Sequence, residues 1–290
     1  MKSLYTAVTL LLIIFCPALS NAQERVTRAQ QLTCGCLDSL KALPFKTRSD
    51  SCFSKSIAQA LLESKGFPST VDFMKSFITD VKKAVYANCP DFRQTYNEEE
   101  YKNFESLSSN EKANELYRSG NKLLTAEKYD EAIPFFEKAL KADSKFLFAA
   151  DNLAICYRKK KDYNTALKYY QQSLEIFPAA NLALLNAAVV YTLNNNDDEA
   201  LKHYAKLKYY YPKDPEGYFG VAKMSILAGK YEDALDNAFT AHLLYVDAKS
   251  PYINDSNTLV TYIYKQMKEK NMLELFNSKA KQYNITVNNN

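Results

Sequence analysis

The chain has no tryptophan, only two histidines and only six glycines in 290 residues. None of the glycines falls in a phosphate-cradling pattern, which excludes a glycine-rich nucleotide loop. No Cys-x-x-Cys pair occurs, so a thioredoxin-like redox motif is absent. His203 and His242 stand in otherwise unremarkable helical stretches, and no nucleophile–base arrangement surrounds either. The formal charge is +4 at pH 7 and is spread without a long basic run. That weighs against a nucleic-acid surface, which would need clustered lysine and arginine. Beyond the first residues no apolar run is long enough to span a membrane. What the chain has in quantity is rings, with 22 tyrosines and 16 phenylalanines.

Residues 1–22 start with Lys2, run through LYTAVTLLLIIF, break at Pro17 and end Ser20-Asn21-Ala22. A positive start, a short apolar core and small residues at the end are the marks of a secretory signal peptide. Cleavage is expected after Ala22. Phe15 stands before Cys16, where lipid attachment would want a small residue. The mature chain is therefore expected in the periplasm or outside the cell, with no transmembrane segment.

Residues 23–105 form a second region. Their apolar residues are spaced as on three amphipathic helices: Leu32, Cys36 and Leu40, then Ile57 and Leu61, then Val71, Met74, Ile78, Val81 and Val85. Lys65 to Ser69 reads as a helix stop, with Ser69 or Thr70 opening the third helix. Four cysteines lie here, Cys34, Cys36, Cys52 and Cys89. In an oxidising compartment a small helical unit gains from cross-links. A Cys34–Cys36 bond is disfavoured, because helix neighbours two apart point to nearly opposite sides. The same divergence lets one face the second helix at Cys52 and the other the third at Cys89. Zinc would want Cys-x₂₋₄-Cys spacing, and no histidine is near, so no metal is expected. Cys156 is expected to be a free, buried thiol. Glu98 to Ser109 is polar and acidic and reads as a solvated linker or as a helix leading onward.

From Ala113 the chain repeats at a spacing of 34 residues. One column is Gly120, Ala154, Ala188, Ala222. Another is Ala132, Ala166, Ala200, Ala234. A third is Phe136, Tyr170, Tyr204, Ala238, and a fourth Ala139, Ser173, Leu207, Ala241. Period and small/aromatic alternation together mark a helix–turn–helix solenoid. The small residues belong where two helices cross closely, and the rings fill the wedge to the next pair. Pro134 is expected in the first turn of its helix, where a missing N–H costs little. After Pro251 the period fails, and Ser256–Lys270 and Met272–Tyr283 read as two further amphipathic helices that cap the stack. Asn288 to Asn290 are expected to fray.

These columns resemble the tetratricopeptide repeat (TPR) family over about Ala113 to Val246, and the whole chain resembles exported bacterial proteins of that family with an N-terminal helical cysteine segment. The expected fold is all-α. It comprises a signal peptide (1–22), a small disulfide-linked helical domain (23–105), a region of four repeats (106–248, the repeats being 113–146, 147–180, 181–214 and 215–248) and capping helices with a tail (249–290). The resemblance implies that the first helix of each repeat lines a groove. It places Asn121, Phe148, Asp151, Arg158, Lys159, Leu185, Val189, Phe219 and Lys223 at groove-facing positions. Some members grip a partner's C-terminal carboxylate with a clamp of Lys, Asn and Arg. Asn121 and Asn152 match its asparagines, but Tyr117, Leu182 and Asn186 stand where its basic residues would be, so the clamp is incomplete. Asn152 and Asn186 are instead expected to bond backbone between helices.

The function expected from this reading is a non-enzymatic scaffold or assembly module of the cell envelope, needing no cofactor. It would hold a protein or peptide in the groove of repeats two to four. Helix Asn181 to Leu193 is apolar nearly all round, which a lone monomer has little reason to expose. The alternatives are an envelope enzyme, a thiol- or metal-binding protein using the cysteine segment, and a glycan or cell-wall binder using the tyrosines.

Overall fold

The computed structural model describes residues 17–64, 70–105 and 108–285. Among them lie fourteen helices and no strand. They are α1 (Pro17–Ser39), α2 (Phe45–Leu62), α3 (Val71–Asn88), α4 (Pro90–Glu105), α5 (Glu111–Thr125), α6 (Tyr129–Ala142) and α7 (Leu147–Lys159). They continue with α8 (Tyr163–Ile176), α9 (Asn181–Leu193), α10 (Asp197–Tyr210), α11 (Pro215–Leu227), α12 (Tyr231–Asp247), α13 (Ile253–Glu269) and α14 (Leu273–Gln282). No helix among the described residues is long and apolar enough to cross a membrane. Most of the expected signal peptide, the Lys65–Ser69 stop and the Asn288–Asn290 tail lie outside the described residues. The chain divides into two compact units between Thr95 and Tyr96, inside α4.

In the first unit α1 packs on both α2 and α3. Its core includes Ala29, Leu37, Ala60, Phe77, Val81 and Val85. Cys34 pairs with Cys89 and Cys36 with Cys52, at Cα–Cα distances of 5.8 and 5.6 Å. The two cysteines of α1 thus go to different partners, as their opposed directions require. Thr70 caps α3, its hydroxyl accepting from the Phe73 amide. Cys89, before Pro90, has the extended backbone that a following proline favours. The Arg93 guanidinium then donates to the carbonyls of Tyr86 and Ala87, closing the open end of α3.

The second unit is a stack of antiparallel helix pairs. Ala132, Ala166, Ala200 and Ala234 are each fully buried, and so are Phe136 and Tyr170. The columns read from the sequence are therefore real packing positions. Each turn between paired helices carries a residue of positive φ: Glu127 (58°), Lys161 (63°), Asn195 (55°) and Gly229 (70°). These four keep the spacing of 34. The next amide bonds back five residues in each case, from Lys128 to Leu123, Asp162 to Tyr157, Asn196 to Tyr191 and Lys230 to Ser225, all at 2.9 Å. This is the Schellman closure of a helix C-terminus. It demands left-handed backbone, which costs an ordinary residue about 1–2 kcal/mol and glycine almost nothing. Lys161→Gly is thus expected to stabilise the protein by about 1 kcal/mol, and Gly229→Lys to destabilise it by about as much. Urea midpoints of the two variants test this; a change of the same sign in both would contradict it.

Three expectations need correction. Pro134 is the sixth residue of α6, past the first turn, so the Asp130 carbonyl loses a helical partner. Glu98 to Glu105 is helix, the second of the two readings, and not linker, and its Glu98, Glu99, Lys102 and Asn103 are exposed. It is the last part of α4, and Tyr101 and Phe104 pack half-buried on the core of repeats two and three. The boundary expected after residue 105 differs from the observed one for that reason.

Candidate functional site

The first helices α5, α7, α9 and α11 lie side by side, and α13 continues the row beside α11. Its turn into α14 has the same closure, with Asn271 at φ 58° and the Met272 amide bonding to the Met267 carbonyl. So α13 and α14 stand in the stack as a fifth helix pair. Their period fails because both α12 and α13 are longer: α13 has 17 residues where α7, α9 and α11 each have 13, and α12 has 17 where α6, α8 and α10 each have 14.

Glycine sets the position of α11. A methyl group at Gly217 would lie 2.5 Å from the Lys208 backbone nitrogen, and one at Gly220 would overlap the Tyr204 ring. Only glycine lets α11 sit this close to α10. That depth leaves a cleft of about 670 Å³ along α9, α11 and α13. Leu185 and Phe219 line it from the repeats, with Glu216 and Lys223 beside them. Tyr245, at the end of α12, and Tyr252, just before α13, form its end. Asp255, Thr258, Leu259 and Tyr262 line it from α13, at helical spacings of three and four that put them on one face.

The polar groups here are few and placed. The Tyr245 hydroxyl donates to a Glu216 carboxylate oxygen at 2.8 Å. Burial first, and the Glu216 carboxylate second, raise the Tyr245 phenol well above its ordinary value, so it remains a donor. Its ring meets Phe219 edge-on at 6.2 Å and lies 6.3 Å from Tyr252. The Lys223 ammonium lies 5.9 Å above the Phe219 ring. Tyr252 and Tyr262 remain 54% and 48% exposed.

Of the nine groove residues expected from the sequence, Leu185, Phe219 and Lys223 meet in this cleft. Val189 is half-buried one turn beyond Leu185 on α9, and Lys159 is exposed at the end of α7. Phe148 already has a neighbour, because Tyr101 of α4 stands edge-on against it at 5.6 Å. Asn121 accepts from the Asn152 side chain at 3.2 Å, and Asn152 also donates to the Tyr117 hydroxyl. Asn186 bonds the Leu182 carbonyl of its own helix. Neither asparagine bonds backbone between helices, contrary to expectation. Tyr245, Tyr252, Asp255 and Tyr262 were missed. Tyr245 could have been found from the 34-spaced series Phe177, Tyr211, Tyr245.

Asp151 requires the largest correction. It is fully buried, not a groove contact, and its carboxylate has no hydrogen bond of full geometry; the Ser173 side chain interacts with it and only partly offsets the burial. Burial pushes its carboxyl up to about 7. The hydroxyl of Tyr170 and the Nε of Arg158 are likewise buried without a hydrogen bond of full geometry, although the two side chains interact with each other. Burial also lifts the Cys156 thiol to about 11, which leaves it unreactive. Among the described residues no three His, Cys, Asp or Glu side chains converge as a metal site would need.

Residues 116–146 and 146–208 match tetratricopeptide repeat models. Together they take in repeats one, two and most of three. No curated protein matches the chain. Among solved structures, a MamA double mutant (strain RS-1) is 15% identical, covers 62% of this chain and 97% of its own, and superposes with a TM-score of 0.50. A tetratricopeptide repeat protein from Parabacteroides merdae is 19% identical, covers 59% and 67%, and gives 0.48. The first TPR of Spaghetti, bound to an HSP90 peptide, is 23% identical, covers 43% and 98%, and gives 0.40. At these identities the likeness is one of fold. The second unit is a TPR-like solenoid, and it follows a small disulfide-linked helical segment.

Proposed function

We propose that this protein is an exported, non-enzymatic interaction module that holds a protein or peptide in the cleft between α9, α11 and α13. Its place is the cell envelope, where it serves as a scaffold or assembly component. One observation carries the reading: the cleft is walled by exposed and half-exposed rings, with a few fixed polar groups at its rim. Such walls supply the few buried anchors in which binding energy concentrates. The leader-like start and the two cysteine pairs support export. Among the described residues, the closed pairs also leave no free thiol in the first unit for redox or metal chemistry.

The test is a photo-reactive amino acid placed singly at Tyr262, in the cleft, and at exposed Lys138 on α6. In cells that make the protein, the first is expected to give a discrete protein adduct and the second none. Adducts at Lys138 alone would place the interaction elsewhere and defeat the reading. Adducts to glycan at Tyr262 would replace the protein ligand with a cell-wall one.

A further inference from the structure

The protein already carries a worked example of what this edge of the stack accepts. Tyr101 of α4 stands against Phe148 at 5.6 Å and Phe177 at 6.1 Å. Phe104 adds a contact to Phe177 at 5.3 Å, and the Asn97 side chain donates to the Tyr210 carbonyl at 3.2 Å. Residues 97, 101 and 104 follow helical spacing, so one face of a helix supplies all three contacts. Two repeats further on, a step of 68 residues, the counterparts of Phe148 and Phe177 are Glu216 and Tyr245. Both line the cleft. Among the described residues no α4 counterpart covers the copy in repeat four: Tyr245 is buried there beside Tyr252 and bonded to Glu216, while half-buried Phe219 and the exposed Tyr252 and Tyr262 rings face the cleft.

The copy in repeat four also differs in charge. Glu216 replaces a phenylalanine, and α13 adds the exposed Asp255. Neither carboxylate has a cationic partner among the described residues. Lys223 is the single cation lining the cleft, and it is drawn over Phe219. Two carboxylates beside three tyrosine rings suit a cation, by ion pairing and by attraction to the ring faces. A second copy's α4 is a poor occupant, because Glu98, Glu99 and Glu100 precede Tyr101 and would bring like charge.

We infer that the cleft takes an amphipathic basic helix of a partner protein. An aromatic side chain of that helix sits against Phe219 and Tyr252, and a lysine or arginine one turn away meets Glu216 and Asp255. The inference rests on the proposed interaction role and deepens it by naming the partner's chemistry.

Three helical peptides of equal length test it by fluorescence anisotropy on the full chain. One carries Tyr with Lys four positions on, one Tyr with Glu, and one Ala with Lys. The Tyr/Lys peptide is expected to bind roughly fivefold tighter than Tyr/Glu, a ratio that surface ion pairing can supply. High salt should shrink that ratio, and Asp255→Lys should reverse it. Tyr/Lys should also bind more tightly than Ala/Lys. Equal binding of Tyr/Lys and Tyr/Glu, or a preference that survives Asp255→Lys, overturns the inference. If no peptide binds while the Tyr262 probe still captures a partner, the basic helix is wrong and the interaction role stands. If neither gives a signal, both fall.

Discussion

Asp151→Asn is expected to make the protein more stable at pH 8 and to remove much of its pH dependence between pH 4 and pH 7. The reason is a carboxyl group sealed at zero exposure, with no cationic partner and only the Ser173 side chain to offset its burial. Its folded value is about 7, against an ordinary 3.8 when the chain is open. Between those values the native state holds a proton that the unfolded state has released. Stability therefore falls as pH rises through this window, by about 1.4 kcal/mol per pH unit, and is flat above it. The full loss is on the order of 4 kcal/mol, as large as any single substitution in a domain of this size commonly produces. Asparagine has nearly the same shape and no charge to bury, so the loss disappears. Urea unfolding of both chains at pH 5 and pH 8 measures the effect, and the difference between chains cancels other titrating groups. The same pH dependence in both would mean that Asp151 is solvated or paired, and that the core of repeat two is drawn wrongly.

The repeat columns were legible because a crossing of two helices tolerates only a small side chain. Ala132, Ala166, Ala200 and Ala234 had no other option, and each is fully buried. The disulfide segment was half legible. Opposed directions of Cys34 and Cys36 predicted separate partners, but only the helix packing decided that Cys89 belongs to the first and Cys52 to the second.

The rest was hidden by context. Asp151 occupies the column of Tyr117, Leu185 and Phe219, so its position in the period placed it in the groove. A column gives direction along a helix but does not tell what covers the residue. Tyr101 and Phe104 were masked by the glutamates before them, although their spacing with Asn97 is helical. The outer wall of the cleft escaped because α12 and α13 are both longer than their counterparts in the earlier repeats. The positive-φ turn residue, Asn271, then falls 42 residues after Gly229 instead of 34. A search at fixed period stops there, and Tyr252, Asp255 and Tyr262 lie just beyond it.

Leu185→Asp measures the central claim most directly. Leu185 is half-buried and shared between two core clusters and the cleft, so the new carboxylate would stand among rings and beside Glu216 and Asp255. Truncating an anchor of this kind costs about 2 kcal/mol or more in binding, and an unpaired charge in its place adds to that. The loss should exceed about thirtyfold. The readout is the yield of protein adduct from a photo-reactive residue at Tyr262, with and without Leu185→Asp in the same chain. Circular dichroism and the unfolding midpoint establish that the helices remain. Should Leu185→Asp unfold the stack, Phe219→Ala in the same assay replaces it, since Phe219 also lines the cleft and is only half-buried. The account predicts a folded chain whose adduct is lost. A folded chain that still gives the adduct at full yield would contradict it, because the partner would then be held somewhere other than the cleft.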